Sequence, residues 1–574
     1  MRFDLPARTL IATALALCQV SSYSASPAPV AAENGMVVTA QHLATRVGVD
    51  VLKDGGNAVD AAVAVGYALA VVYPAAGNLG GGGFMTIQMA DGRKTFLDFR
   101  EKAPLAATPN MYLDAAGNVI KGLSTHGHLA VGIPGSVSGL EQARAKYGSM
   151  ARSALIAPAI RYASDGFVLD QGDVDMLHTA TEAFKQDAAG AAIFLNKGEP
   201  FAVGQKLVQK DLAATLQLIS DKGESGFYKG PVGAAIVAAS QAGKGIITQA
   251  DLDQYKTREM KPVECDYRGF GVVSAPPPSS GGVIICEILN VLEGYPMKDL
   301  GYRSAQAVHY QIEAMRHAYM DRNSYLGDPD FVKNPLERLL SKDYAARLRA
   351  AIAPGKAGVS KDIKSGVAPH EGSNTTHYSI IDRFGNAVAV TYTLNDWFGA
   401  KVAAAGTGVL LNNEMDDFTV KVGVPNLYGL VQGEANAIAP GKRPLSSMSP
   451  TIVNQGGKPV MVLGTPGGSR IITAVLHTIL NVIDYGMNMQ EAVDAPRFHQ
   501  QWLPEATSVE NFALSPDTRK LLEAMGHKFG NPQPANHLAA ILVGAPSLGG
   551  KPVGKNRFYG ANDPRRNTGL ALGY

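Results

Sequence analysis

The stretch Asn374-Thr375-Thr376-His377-Tyr378-Ser379-Ile380-Ile381-Asp382, followed by Arg383-Phe384-Gly385-Asn386, then Ala387-Val388-Ala389-Val390-Thr391-Tyr392-Thr393-Leu394-Asn395 and closing at Trp397-Phe398-Gly399, reads as a β-hairpin. Both arms are rich in β-branched and aromatic residues that suit a pleated surface, and Asp382 to Asn386 supplies the Gly and Asn of a turn. With Phe384 at the centre, equal steps outward set Thr375 opposite Thr393. Cross-strand partners stand about 4.5–5.5 Å apart, so the two hydroxyls fall within hydrogen-bonding reach and Asn395 extends the same face. A slip of one residue would break the pairing. Taken alone, a Thr–Thr pair is ordinary sheet.

The same residues spell Thr-Thr-His-x-Ser, then Gly-Asn, then Val-x-Val-Thr-x-Thr-Leu-Asn, then Phe-Gly. This pattern is similar at every position to the signature of the γ-glutamyltranspeptidase family, and the similarity runs from about Val37 to Tyr574. The resemblance implies an N-terminal nucleophile hydrolase: an α+β, four-layer αββα sandwich whose precursor cuts its own bond before a threonine, here Asn374–Thr375. It also implies that the freed Thr375 is both nucleophile and base, with Thr393 orienting it. The chemistry is sound, because an α-amine titrates near about 7.7–8.0 and can take the hydroxyl proton near neutral pH.

With 574 residues and no linker-like stretch between separate cores, one large domain is expected. Hydrophobic residues make up 46% and charged ones 18%, so there is ample apolar material for a layered core. A net charge of +2, with scattered Lys and Arg and no zinc spacing, gives no sign of nucleic-acid partners. Arg2 and Arg8 precede the apolar run Leu10 to Leu17 and the small, polar stretch Ser21 to Ala32, which together read as a signal peptide over residues 1–25. Export to a periplasm or the outside follows. Leu15-Ala16-Leu17-Cys18 resembles a lipoprotein site, but Leu17 stands where a small residue is needed, so lipid anchoring at Cys18 is not expected. Cys265 and Cys286 remain after the leader; export permits a bridge, but two cysteines are no framework, and separate burial stays open.

Before position 374, apolar residues recur at helical spacing from Ala40 to Val72 around a break at Gly55-Gly56-Asn57, which predicts a helical hairpin. Gly77-Asn78-Leu79-Gly80-Gly81-Gly82-Gly83 lacks a following Gly-Lys-Ser/Thr and feeds a strand, so close backbone packing explains it better than a phosphate cradle. The strand Thr95 to Phe99 ends at Arg100-Glu101-Lys102-Ala103-Pro104. A strand-end arginine is ordinarily a surface ion pair. The segment resembles the one whose arginine holds the substrate α-carboxylate in the family, a task that suits a planar guanidinium fork. His126 and His128 have metal-like spacing but no third ligand, and read as solvated loop residues. Ser304 to Leu326 reads as a scaffold helix, Ala275 to Gly282 as a stiff turn, and Lys356 to Ser373 as an exposed, mobile tail that ends at the scission point.

Three later motifs converge on an amino-acid substrate. Asn412-Asn413-Glu414-Met415-Asp416-Asp417 resembles the family segment that holds the α-ammonium, with Asp417 first and Glu414 second, whereas Asp416 reads as a solvated turn residue. Ser446 and Ser447, in a proline-bracketed turn, match the serines that the family uses on the α-carboxylate, and their other reading is local backbone bonding. Gly467 and Gly468 sit at what looks like a helix N-terminus, where outward N–H groups suit an oxyanion. Gly423 to Leu430 resembles the lid loop of some family members, with Tyr428 as the gate.

The resemblance therefore implies a γ-glutamyltransferase and glutathione hydrolase without cofactor or metal, and the leader implies that it is exported. Residues 26–374 and 375–574 would form a large and a small subunit, associated as a heterodimer within one αββα domain. Its small-molecule partners would be glutathione or other γ-glutamyl donors, with water, amino acids or peptides as acceptors. The rivals are a glutaryl (β-lactam side-chain) acylase on the same scaffold and an uncleaved, non-catalytic exported binding protein.

Overall fold

The computed structural model describes residues 26–360, 375–530 and 536–574. The predicted signal peptide with Cys18, most of the tail before the scission point, and Asn374 itself lie outside the described residues.

The hairpin forms as expected: strands Thr375–Ile381 and Ala387–Thr393 pair antiparallel, with Thr375 opposite Thr393 and Ile381 opposite Ala387. They occupy the middle of a seven-stranded antiparallel sheet. Met36–Thr39 and then Leu570–Gly573 flank one side of it, and Gly82–Gln88, Lys94–Phe99 and Arg258–Met260 the other. A second seven-stranded antiparallel sheet runs Val30–Ala32, Phe558–Asn562, Ala539–Val543, Lys458–Gly464, Thr451–Gln455, Phe270–Ser274 and Val263–Tyr267. Small and β-branched side chains, among them Val38, Ile381, Ala387 and Ala389 from the first sheet and Val273, Ile452, Val462 and Ile541 from the second, fill the space between the sheets. Alternation along each strand turns the remaining apolar residues outward, where helices cover them.

On the outer face of the first sheet lie the helices His42–Lys53 and Ala58–Val72, the hairpin read from sequence. The second starts at a reciprocal cap between Asn57 and Asp60, and every one of its residues is buried. Gly281–Leu292 and Arg470–Ile483 cover the second sheet. The four layers are those of an αββα sandwich.

One open question is settled and two expectations are corrected. Cys265 and Cys286 are joined by a disulfide, which pins the edge strand Val263–Tyr267 to the covering helix Gly281–Leu292. The described start of the tail is docked, since Ala357 N–H donates to Met525 O (2.8 Å) and Ser360 N–H to Glu505 (2.8 Å). His128 is half-buried in a short 3-10 turn, and a Cβ on Gly243 would sit 1.8 Å from its ring. The glycine run behaves as expected. A Cβ on Gly81 would lie 2.0 Å from Thr393 O and one on Gly80 2.1 Å from Leu410 O, so only glycine lets this segment pass so close to the end of the hairpin.

Candidate active site

The open end of the hairpin forms the floor of a small cavity. Thr375 Oγ1 and Thr393 Oγ1 are 3.2 Å apart and both residues are buried. Thr393 Oγ1 also accepts from the Asn395 N–H (2.8 Å), and Asn78 Nδ2 donates to Thr393 O (2.9 Å), so the second threonine is held from two sides. Asn395 takes a left-handed backbone (φ 75°), which Asn tolerates better than most residues, and its side chain donates to Asn413 O (2.9 Å). Non-glycine residues in this region of backbone space concentrate at functional sites.

Arg100, at the end of its strand, reaches the same cavity and is fully buried. Its Nη1 donates to Glu414, its Nη2 to Asp417, and its Nε to Pro444 O (3.2 Å). The three charges were expected as two separate binding groups, but in the structure they close on one another. Burial, opposed by Arg100, lifts the Glu414 carboxyl above its ordinary range, and Glu414 Oε2 is buried without a protein partner. Behind them Glu101 is fully buried, 3.8 Å from Arg100, and burial pushes its carboxyl up to about 7. Asp416 is not a solvated turn residue: it is buried, accepts from Ser124 Oγ (2.7 Å) and the Leu427 N–H (2.8 Å), and burial raises it to about 6.

Ser446 and Ser447 line the cavity with both oxygens already accepting, Ser446 from the Met448 N–H (3.1 Å) and Ser447 from Arg322 Nη2 (3.1 Å). Among the described residues neither hydroxyl has an acceptor, so both protons remain for a ligand. The stiff turn before Gly281 backs them, because Ser280 donates to Ser446 O from both its N–H (2.8 Å) and its hydroxyl (2.7 Å). Gly468 borders the cavity, while Gly467 stands just behind it against Asn536. Both adopt positive φ (133° at Gly467, 55° at Gly468) immediately before the helix Arg470–Ile483. Tyr428 closes the roof: its ring packs where a Gly468 Cβ would lie and its hydroxyl donates to Asn395 O (2.6 Å).

Sequence reading missed Arg322, which lines the cavity from the helix Ala305–Tyr325, taken as scaffold. A signal existed. Ile312, Met315, Tyr319 and Arg322 are three or four apart on one buried stripe, and an arginine on an apolar stripe needs a partner. The same helix brings His309 and Glu313 near His527. There the two rings hydrogen-bond each other (2.8 Å) and Glu313 pairs with Arg316 (3.3 Å).

The arrangement thus offers a buried hydroxyl pair, opposite charges on the wall of the same cavity, free serine protons and a glycine turn at a helix start. Chains of known function agree with it. A family model for gamma-glutamyltranspeptidase matches residues 44–573. A glutathione hydrolase proenzyme of Pseudomonas sp. (strain A14) is 76% identical, covering 99% of both chains, and that of Escherichia coli (strain K12) is 51% identical over 95% of this chain and 93% of the other. Among solved structures, a cephalosporin acylase from Bacillus halodurans superposes with a TM-score of 0.83 at 27% identity, over 100% of this chain and 99% of that one. With the signature hairpin, the sandwich and a family match over nearly its full length, this chain belongs to the γ-glutamyltranspeptidase family.

Proposed function

We propose that the chain is an exported γ-glutamyltransferase and glutathione hydrolase that cuts itself at Asn374–Thr375 and then acts through Thr375. The observation that carries this is the 3.2 Å contact between Thr375 and Thr393 on the floor of a cavity walled by Arg100, Glu414, Asp417 and two serines. Scission turns the Thr375 nitrogen into an α-amine two bonds from the carbon that bears its hydroxyl. That amine takes the Oγ1 proton as the oxygen attacks the γ-carbonyl of the donor. Thr393, whose oxygen is fixed by the Asn395 N–H, donates to the attacking oxygen and orients it. The tetrahedral oxyanion faces the Gly467–Gly468 turn, whose N–H groups at a helix start stabilise it. Collapse expels the donor's amine, protonated by the α-amine, and leaves a γ-glutamyl ester on Thr375. Water or an acceptor amine reverses these steps.

The donor's ammonium meets Asp417 and the orphaned Glu414 Oε2, and its carboxylate meets Arg100 and the two serine protons. Tyr428, as the gate of the 423–430 loop, keeps water off the ester and favours amine acceptors. The two products of scission, residues 26–374 and 375–574, stay together because both sheets draw strands from each. Export rests on the leader read over residues 1–25 and fits the disulfide. No helix among the described residues is long and apolar enough to cross a membrane.

An acylase acting on glutaryl amides is the second reading, prompted by the cephalosporin acylase likeness. A glutaryl group lacks the ammonium and would leave Asp417 and Glu414 without a ligand cation. Paired assays of γ-glutamyl and glutaryl p-nitroanilides decide between them. The proposal expects kcat/KM at least about tenfold higher for the γ-glutamyl compound, the value of one buried charged contact. Equal or better glutaryl turnover would overturn it.

A further inference from the structure

The two buried arginines at this cavity are in opposite electrostatic situations. Arg100 is committed to two acids, Glu414 and Asp417, and lies 3.8 Å from a third, Glu101. Arg322 is just as buried, yet its partners are neutral: Nε donates to Ser280 Oγ (3.0 Å), Nη1 to Asn323 Oδ1 (2.9 Å) and Gln432 Oε1 (3.0 Å), and Nη2 to Ser447 Oγ (3.1 Å). Among the described residues it makes no ion pair with a carboxylate. Burial lowers its pKa to about 10, so it is still a cation at neutral pH. A buried guanidinium with no carboxylate in contact, only the more distant pull of Asp417, is costly, and its position on the wall of the cavity that holds Thr375 points to an anion that enters that cavity.

We propose that Arg322 is a specificity-determining residue of this site: the uncompensated guanidinium that, with Ser447, receives the α-carboxylate of the γ-glutamyl donor. The inference rests on the γ-glutamyl reading above. Ser447 is the point of contact between protein and ligand charge. Its oxygen accepts from Arg322, which aligns the hydroxyl and polarises its proton toward a carboxylate. The four bonds already made leave one of the guanidinium's N–H groups unspent. The charge arithmetic agrees. Arg100 is shared with Glu414 and Asp417, so the carboxylate of a zwitterionic donor that gives its ammonium to those acids meets only part of one guanidinium there, and Arg322 adds a second positive partner beside Ser447. The neutral hydrogen-bonding shell around Arg322 fixes the fork and cancels none of its charge.

The test pairs two donors that differ only in the carboxylate, γ-glutamyl p-nitroanilide and 4-aminobutyryl p-nitroanilide, on wild type, Arg322→Gln and Arg322→Lys. Wild type is expected to prefer the γ-glutamyl compound strongly. Arg322→Gln should lose about a hundredfold in kcat/KM on it, mainly through KM, the scale of one desolvated ion pair, while turnover of the 4-aminobutyryl compound changes by less than about threefold. Arg322→Lys, which keeps the charge but not the fork, should fall between the two and carries the test if the Gln variant does not fold. A fall by the same factor on both compounds overturns the proposal and makes Arg322 structural, and so does an unchanged preference. Failure of wild type to distinguish the two compounds would instead sink the γ-glutamyl reading itself.

Discussion

At the scale of single residues the site is decided by which buried charges have partners. Arg100 was read as a free clamp for a carboxylate, but it sits between Glu414 and Asp417, so it also holds those two acids in place. Arg100→Ala should therefore do two things. It should raise KM for γ-glutamyl donors at least tenfold, and it should lower stability by about 3–5 kcal/mol, since removing one member of a buried pair strands the others. Kinetics with a melting curve check both, and a variant of normal Tm would show that the acids do not need Arg100. Thr375, Thr393, Asn395, Asp417 and the serines were legible because a motif spelled them out in order. Asp416 and Arg322 were not. An acid after a strand reads as solvated until Ser124 and Leu427 are seen to close over it, and Arg322 is held by Ser280, Gln432 and Ser447, which lie far from it in sequence.

Among the elements, the hairpin was the most legible. A turn centred on Phe384 fixes the register by counting alone, and alternation allows no neighbouring solution. The helical pair before Val72 was equally plain, with Gly55-Gly56-Asn57 marking both a stop and a cap. The 423–430 loop, expected as a lid, could be named but not placed. In the structure it is tied down by Asp416, which accepts from Leu427, and by the Tyr428 hydroxyl on Asn395 O. Tyr428→Phe removes the second tie at a cost of about 1 kcal/mol. The expected result is a fall of about threefold to tenfold in the ratio of transfer to hydrolysis with scission unaffected, measured by product analysis at a fixed acceptor concentration. A ratio equal to wild type would mean that Tyr428 does not gate water.

Over the whole molecule the feature that matters is interleaving. The strand that begins at Thr375 lies between Met36–Thr39 and its own hairpin partner, and the second sheet mixes strands from before and after that point in the same way. A cut before Thr375 thus removes no strand from either sheet. No sequence pattern gave this order, because strand neighbours here are hundreds of residues apart. Between the sheets Ser379 Oγ donates to Ala539 O (3.0 Å), and His377 bonds Thr391 (2.8 Å) and Ser379 (3.0 Å) beneath Gly464, where a Cβ would lie 2.3 Å from the ring. Burial holds His377 at about 3, against about 6.5 for a free imidazole. Its folded pKa is lowered, so the unfolded chain binds the extra proton first, and the stability His377 contributes is lost as pH falls from about 6.5 toward 3. The Tm difference between wild type and His377→Asn should accordingly narrow over that window, and a constant difference would show that the ring is not held neutral.

All of this depends on Thr375 becoming a chain end. The direct measurement is a denaturing gel of the purified, active protein with N-terminal sequencing of the smaller band, run beside Thr375→Ala. The account predicts two bands for wild type, the smaller one beginning Thr-Thr-His-Tyr-Ser, and a single inactive band for the variant. Full activity from a polypeptide that remains unbroken through position 375 would contradict it.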